Sequence, residues 1–365
     1  DPLGIPFMNG VIRGKDVFVT MDTIIGGPKM LGQGWHMLVE CLSIGRSISL
    51  PALGSANGHL GFLMAGAYSR IREQFNLPIG LFKGVEEPLA QIGGFSYMME
   101  AARVLTFSAV DNNIKPSVAS AIAKYHLTEL GRKTLNCAMD IHGGKGIILG
   151  PKNYLGRPYQ GMPVGITVEG ANIMTRSLLI FGQGALRCHP YLLEEYKSFA
   201  NPSTRKGAAQ FDRAVFSHLG YMLRNKIRVV LHGLTCGAFI LAPSSRLSRY
   251  YRRVSRMSIA LAFISDLALM VLGGELRRRE RLSARLGDVL SHLYMASATL
   301  KMYHDRKEPE DEMVVVQWAL DYNLFEAQEA MVSFFDNFPN RILIRIVKRM
   351  VFPYGKPFHA PMDDL

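Results

Sequence analysis

The sequence is short of acid, of cysteine and of strand-like patterning, and each shortage narrows what the chain can be. Asp and Glu number 30 against 42 Lys and Arg, a formal charge of +12. That excess suits an acidic partner: nucleic acid, anionic lipid or a phosphorylated ligand. Four scattered cysteines (Cys41, Cys137, Cys188, Cys236) show no C-x-x-C and no metal-ligand spacing. They exclude a disulfide framework and a cysteine zinc site, and read as reduced thiols in a reducing compartment. No uninterrupted apolar run reaches the roughly 20 residues of a membrane span. Residues 257–272 come nearest, but serines and Asp266 interrupt them, so they read as a buried core helix. No internal repeat recurs at a fixed period. The opening residues, D-P-L-G-I-P-F, carry neither an initiating Met nor a leader-like pattern, and the sequence is read as a fragment.

What is present favours helices. With 365 residues and 48% hydrophobic content, the chain can bury a large core in two domains. Alternation of Val17, Val19 and Met21 with Phe18, Thr20 and Asp22, after a turn at R-G-K-D, predicts strands before residue 28. From Gln33 the period becomes helical, with Trp35, Leu38, Val39, Leu42 and Ile48 on one face, and Pro51 predicts a kink or restart. A Gly- and Ala-rich helix follows over about 52–75, a third starts near Gly84, and a fourth runs from Ser117 to Asp140, stopped by H-G-G-K-G. Together with a helix after Glu169 these predict an antiparallel bundle. H-P-Y and N-P-S-T then lead into further helices near 206–241, 245–272, 275–304, 309–337 and 340–351.

The stretch V-G-I-T-V-E-G-A-N-I-M-T-R, from Val164 to Arg176, holds the sharpest chemical signal. Glu169 lies between apolar Ile166 to Val168 and the small pair Gly170 and Ala171. Ile173, Met174, Ser177, Leu178 and Phe181 then recur at helical spacing and predict a buried face. Desolvation disfavours a charged carboxylate and strengthens it as a base for a weakly acidic C–H proton. The plain alternative is a Glu stabilised at a helix N-terminus by the macrodipole.

V-E-G-A-N-I-M-T-R, preceded by I-H-G-G-K-G (Ile141 to Gly146), resembles the C-terminal domain of flavin-dependent acyl-coenzyme A dehydrogenases. The likeness extends to the long bacterial fatty-acid β-oxidation members of the FadE type, through F-G-Q-G-A-L-R-C-H-P (Phe181 to Pro190) and the helices beyond. The resemblance implies an all-α fold in three parts. Residues 1–30 would end a middle β-domain, 31–195 would form the helical bundle, and 196–365 would be a helical extension. It implies FAD as cofactor, fatty acyl-CoA as substrate, the trans-2-enoyl thioester as product and an electron-transfer flavoprotein as acceptor. A homo-oligomer in the bacterial cytoplasm, in peripheral contact with the inner membrane, completes the picture. The portions that clamp the flavin would lie mostly outside this sequence, so alone it should hold FAD poorly.

Residue by residue, Glu169 would be the base that removes the α-proton. Arg72 and Phe75 match an R-x-x-F in which the Arg holds the flavin pyrophosphate of a neighbouring subunit and the aromatic lies beside the cofactor. Gly143, Gly144 and Gly170 would bring bare backbone to the cofactor, and Arg46 would sit near the thioester and the base. Ala171 stands where smaller members often have Thr, although the FadE type has the same Ala. Two positions depart from the common pattern: Lys83 stands near where many members have Gln, and Asp140 where Gln commonly precedes the glycines. The plain alternatives are a solvated Arg72, a capping turn at Gly143 and a buried salt bridge for Arg46. No metal and no nucleic-acid site is expected. Arg278, Arg281 and Arg285, in E-L-R-R-R-E-R-L-S-A-R, are spaced to share one helical face. A solvated face with an i,i+4 pair such as Glu275–Arg279 is the preferred reading, anionic lipid the other. Rival functions are an acyl-CoA oxidase and a non-catalytic helical module that docks on membranes or partners.

Overall fold

The computed structural model describes residues 2–4, 8, 10–199 and 205–362, less a few helical side chains. Contacts divide the chain into two units, Asp1–Met99 with Thr106–Ala171, and Glu100–Leu105 with Asn172–Leu365.

In the first unit α1 spans Gly34–Ile71, α2 Lys83–Asp111, α3 Ser117–His142, α4 Gly144–Ile147 and α5 Gly156–Thr167. Gly54, Gly58 and Gly61 lie one turn apart on α1, where the backbone of α3 and the side chains of α2 come closest. A Cβ at Gly54 would lie 2.3 Å from the Leu127 carbonyl oxygen, and one at Gly61 would lie 2.6 Å from Thr134 Cγ2. Tyr68 stacks on His142 further along. The pairs 54/127, 61/134 and 68/142 keep an offset of 73 to 74, so α1 and α3 run parallel. Gly58 faces Ser96 and Met99 while Gly61 faces Ile92, so α2 runs the other way. Asn57 meets Met162 and Leu53 meets Gly165, so α5 descends as well. The result is the antiparallel bundle, with Ala65, Ile92, Leu135, Ala138 and Met162 in its core.

Close helix approach makes a testable demand. Gly54→Val should lower stability by about 1–3 kcal/mol, the usual cost of overpacking, because the clash is with backbone. Gly66, on the same helix, has nothing within 4 Å of its Cβ position. Gly66→Ala should therefore raise the thermal midpoint through helix propensity alone. Equal midpoints for the two variants would refute the packing argument.

Three expectations change here. Pro51 lies inside one uninterrupted helix, α1. The alternating residues near Val17 form no paired strands among the described residues; Val17, Phe18 and Val19 are exposed. A lone hairpin cannot bury a face without further strands or a helix to cover it. The two-stranded sheet instead joins Glu73–Gln74 (β1) to Leu77–Pro78 (β2), turned by Phe75 and Asn76 at φ 52° and 62°. Leu38 and Ile48 are exposed rather than buried, and the side chains of Trp35, Val39 and Leu42 lie outside the described residues.

The second unit contains α6 (Asn172–Met174), a π-helix (Thr175–Gln183) and α7 (Gly184–Cys188) in direct succession, then α8 (Leu192–Phe199) and α9 (Arg205–Leu234). It continues through α10 (Ser248–Leu272), α11 (Glu275–Arg278), α12 (Glu280–Asp305), α13 (Met313–Asn337) and α14 (Arg341–Val351). N-P-S-T, expected to mark a boundary, lies outside the described residues. The π-helix corrects the predicted buried face. Its hydrogen bonds reach i+5, so Thr175 and Ile180 align and are both fully buried, whereas Ile173 and Met174 are exposed. Arg176 locks this segment to α12 through a two-pronged ion pair with Asp288.

Helix α10 is long and apolar enough to cross a membrane, yet Met257, Ile264, Leu267 and Ala268 are buried in the unit. Its buried Asp266 accepts from His189 Nε2 at 2.8 Å. His189 Nδ1 in turn accepts the amides of Tyr191 and Leu192, both at 3.2 Å, at the start of α8. Those two bonds fix the His189 proton on Nε2, so that nitrogen serves Asp266 rather than a metal ion. The basic tract also differs from expectation. The helix breaks at Arg279, where ψ is 61°, and Arg285 donates to Ser333 on α13. Arg278 therefore shares no continuous helical face with Arg281 and Arg285. Arg279 does pair with Glu275, at 3.2 Å.

Candidate functional site

Helix α5 ends at Thr167, and the chain then turns through Val168, Glu169 and Gly170. Glu169 is held at φ 55° and Gly170 at φ 93°. A left-handed conformation costs a Glu roughly 1–2 kcal/mol and persists only where neighbours impose it. Here two cations impose it. Arg46 on α1 donates from Nε to the Glu169 carbonyl at 3.0 Å. Lys124 on α3 donates from Nζ to the carbonyls of Gly170 at 2.7 Å and Ile166 at 3.2 Å, closing the last turn of α5. The Glu169 side chain rests against Gly45, whose Cβ position lies 3.6 Å from Oε1. Its other oxygen, Oε2, is buried and has no hydrogen-bond partner among the described residues.

Lys124 is fully buried. Burial, and then repulsion from Arg46, pull its pKa down to about 8, partly countered by Glu169. Burial likewise lowers the Arg46 pKa, against the opposing pull of Glu169. Arg46 thus binds the backbone of the turn instead of forming the buried side-chain salt bridge that was its plain alternative. Lys124 was missed in the sequence, although a lone Lys inside A-S-A-I-A-K-Y-H-L was a visible signal.

The other expected residues gather at the far end of the bundle. Arg72 caps α1, its amide bonded to Tyr68 and its carbonyl to Ile79, and it is exposed. Phe75 is 88% exposed at the tip of the hairpin, edge-on to Phe82 at 6.3 Å. One turn before Arg72, Tyr68 stacks on His142 with ring centroids 4.3 Å apart. His142 Nδ1 donates to the Ala138 carbonyl at 2.7 Å, and Nε2 accepts from the Tyr154 hydroxyl at 2.6 Å. Burial, offset by the Ala138 bond and aided by Lys145, lowers its pKa, in keeping with a neutral ring. Gly143 follows at φ 54°, and Lys145 sits over the rings of Tyr68 and Tyr154 at 5.0 and 4.9 Å.

Flavin dinucleotide needs a cation for its pyrophosphate and bare amides within reach. The far end offers both. Arg72 is exposed, and a Cβ at Gly143 or Gly144 would meet nothing within 4 Å; the Gly143 amide donates to the carbonyls of Met139 and Asp140, so the amide left for a phosphate is that of Gly144, at the start of α4. The chemistry of these residues fits the group. The two clusters are well separated, however. Arg72 follows Arg46 by 26 positions along α1 and its cap, about 39 Å of helix at 1.5 Å per residue.

Two family models match this chain. "Acyl-CoA dehydrogenase, C-terminal domain" covers residues 32–180, and "Acyl-CoA dehydrogenase, C-terminal, bacterial type" covers residues 186–365. Among curated relatives, a 3-(aryl)acrylate reductase from Clostridium sporogenes is 31% identical over 163 residues, 43% of this chain and 40% of its own. The subunit CarC of a caffeyl-CoA reductase-Etf complex from Acetobacterium woodii is 27% identical over the same shares of each chain. A segment of 51 residues, 14% of this chain, is 74% identical to a Proteus mirabilis protein named HemX, covering 30% of it. This chain therefore spans 40% or less of the length of these relatives. Its fold is that of an acyl-CoA dehydrogenase from Bacillus anthracis solved with FAD, at a TM-score of 0.68 and 15% identity, over 91% of this chain and 55% of the other. With one such family model on each of its two parts and the fold of a solved member, the chain belongs to the acyl-CoA dehydrogenase family.

Proposed function

We propose that the protein containing this chain is an FAD-dependent dehydrogenase that converts a straight-chain fatty acyl-CoA into its trans-2-enoyl thioester. One observation carries the reading: Glu169 Oε2 is buried without a partner among the described residues, on a left-handed residue whose backbone is pinned from α1 and α3. A carboxylate oxygen with no competing donor keeps its lone pair for a proton of the substrate. Glu169 would take the α-proton at Oε2, while Arg46 and Lys124 hold the turn still and Gly170 leaves the approach clear. Bound FAD would supply the acceptor for the β-hydrogen, which leaves as hydride.

Arg72 and the amide of Gly144, beside the uncovered backbone of Gly143, would hold a pyrophosphate. Because about 39 Å of α1 separates Arg46 from Arg72, one chain cannot place both on one flavin. Two copies, each lending one end of its bundle, resolve this and make a homo-oligomer part of the proposal. The name of CarC as a subunit of a reductase-Etf complex supports an electron-transfer flavoprotein as acceptor. The straight fatty chain rests on the FadE-type resemblance, since the Clostridium relative is named for an aryl substrate.

The test uses full-length, flavin-loaded protein under anaerobic conditions. A straight-chain acyl-CoA should bleach the flavin and yield the enoyl product, and oxygen should reoxidise it slowly. Rapid reoxidation would favour the oxidase reading, and no bleaching by any acyl-CoA would overturn the proposal. Arg72→Ala should weaken flavin retention by about one to two decades, the worth of a charge-assisted phosphate contact, with helix content unchanged. Full flavin occupancy after dialysis would return Arg72 to the solvated surface.

A further inference from the structure

Helix α9 buries Ala214, Asn225 and Val229 on one side and leaves an apolar stripe on the other. Phe216, Leu219, Leu223, Ile227, Leu231 and Leu234 recur every three or four residues and are each between 45% and 73% exposed. At 100° per residue all six fall within about 60° of a common line along the helix. Arg213 and Arg224 flank that line on one side and Lys226 on the other, all exposed. The stripe does not stop at the helix. A groove of about 280 Å³ between α9 and α14 is lined by Val230 and Leu234 from one and by Ile346, Arg349 and Met350 from the other. Gly233 allows the approach, since its Cβ would lie against the Met350 carbonyl. Helix α14 then continues the surface with exposed Ile342 and Ile346 between exposed Arg341, Arg345 and Arg349. It has no acidic residue, and Asp212 is the sole acid on α9.

We propose that this α9–α14 face docks on a bilayer containing anionic lipid. The charge decides the occupant. An apolar line bordered on both sides by long basic side chains lets those chains bury their stems and reach phosphates at the headgroup level. A protein partner would need a matching acidic rim around an apolar ridge. The surface lies in the helices beyond the catalytic turn and does not depend on the proposed reaction. It is also distinct from the arginine tract at 277–285, where the helix break removes a continuous face.

The measurement is co-sedimentation of this chain with vesicles of phosphatidylcholine alone and of phosphatidylcholine with phosphatidylglycerol. Binding is expected to the anionic vesicles, and it should fall with salt as the Debye length shortens. Two variants with wild-type helix content complete the test. Leu223→Ser with Ile227→Ser and Leu231→Ser should abolish binding. Arg224→Gln with Lys226→Gln, Arg345→Gln and Arg349→Gln should weaken it by about six-hundredfold, at roughly fivefold per charge. Wild-type binding by either variant, or no binding to anionic vesicles, overturns the proposal. A dimer in gel filtration that the serine variant dissolves would also overturn it, assigning the stripe to a second copy of the chain.

Discussion

Glu169→Gln, in full-length flavin-loaded protein, should slow flavin reduction by acyl-CoA about 10²–10⁴-fold and leave flavin content unchanged. The substitution keeps the shape of the side chain against Gly45 and the φ of 55° at the turn. It removes the one atom the proposal needs, because the amide that replaces Oε2 offers no basic lone pair. Folding should be little affected: Arg46 and Lys124 hold backbone carbonyls of this turn, and those survive the change. Rapid-mixing measurement of flavin bleaching tests this directly. A rate within a few-fold of wild type would move the base elsewhere.

Lys124→Met should lower turnover about a hundredfold without touching any reacting atom. The ammonium of Lys124 binds the carbonyls on either side of Glu169, at Ile166 and Gly170. Without it the left-handed turn loses one of its restraints, and a small displacement of a catalytic group costs on the order of 10²-fold. A positioning role predicts a fall in kcat with KM little changed, whereas simple unfolding would lower the amount of active enzyme. A second readout comes from pH. The Lys124 pKa is about 8 in the folded chain, against 10.5 for the free side chain. Between those values the unfolded chain binds more protons, so stability should rise with pH in wild type. The gain over Lys124→Met, in which nothing titrates at this site, should reach about 3 kcal/mol by the upper end. Parallel pH profiles for the two proteins would show that Lys124 is not enclosed as described.

Much of the bundle was legible because apolar periodicity and breakers act locally. H-G-G-K-G ended α3 within two residues of the predicted position, since Gly143 takes a positive φ that stops a helix. The segments predicted for 206–351 reappear as α9 to α14, with one added break at Arg279. Patterning failed where the local signal lacked a neighbour to satisfy it. The alternation around Val17 had no further strand to pair with, and the period after Glu169 shifted because a π-helix counts by i+5. Residues named for the site were legible mainly through resemblance. The anchoring residues His142 and Lys124 were not legible, because their partners lie far along the chain or on another helix.

By itself the sequence determined that this chain is helical, where most of its helices end, and which family motifs it carries in order. These properties follow from side-chain spacing, turn residues and local capping, which are short-range. Only the tertiary structure decided which faces meet. Gly54, Gly58 and Gly61 became the seam of the bundle because α2 and α3 close on them. Lys124 became a buried clamp because the end of α5 lies against it. Arg46 and Arg72, both on or next to one helix, fell at opposite ends of the bundle, because 26 residues of α-helix are about 39 Å long.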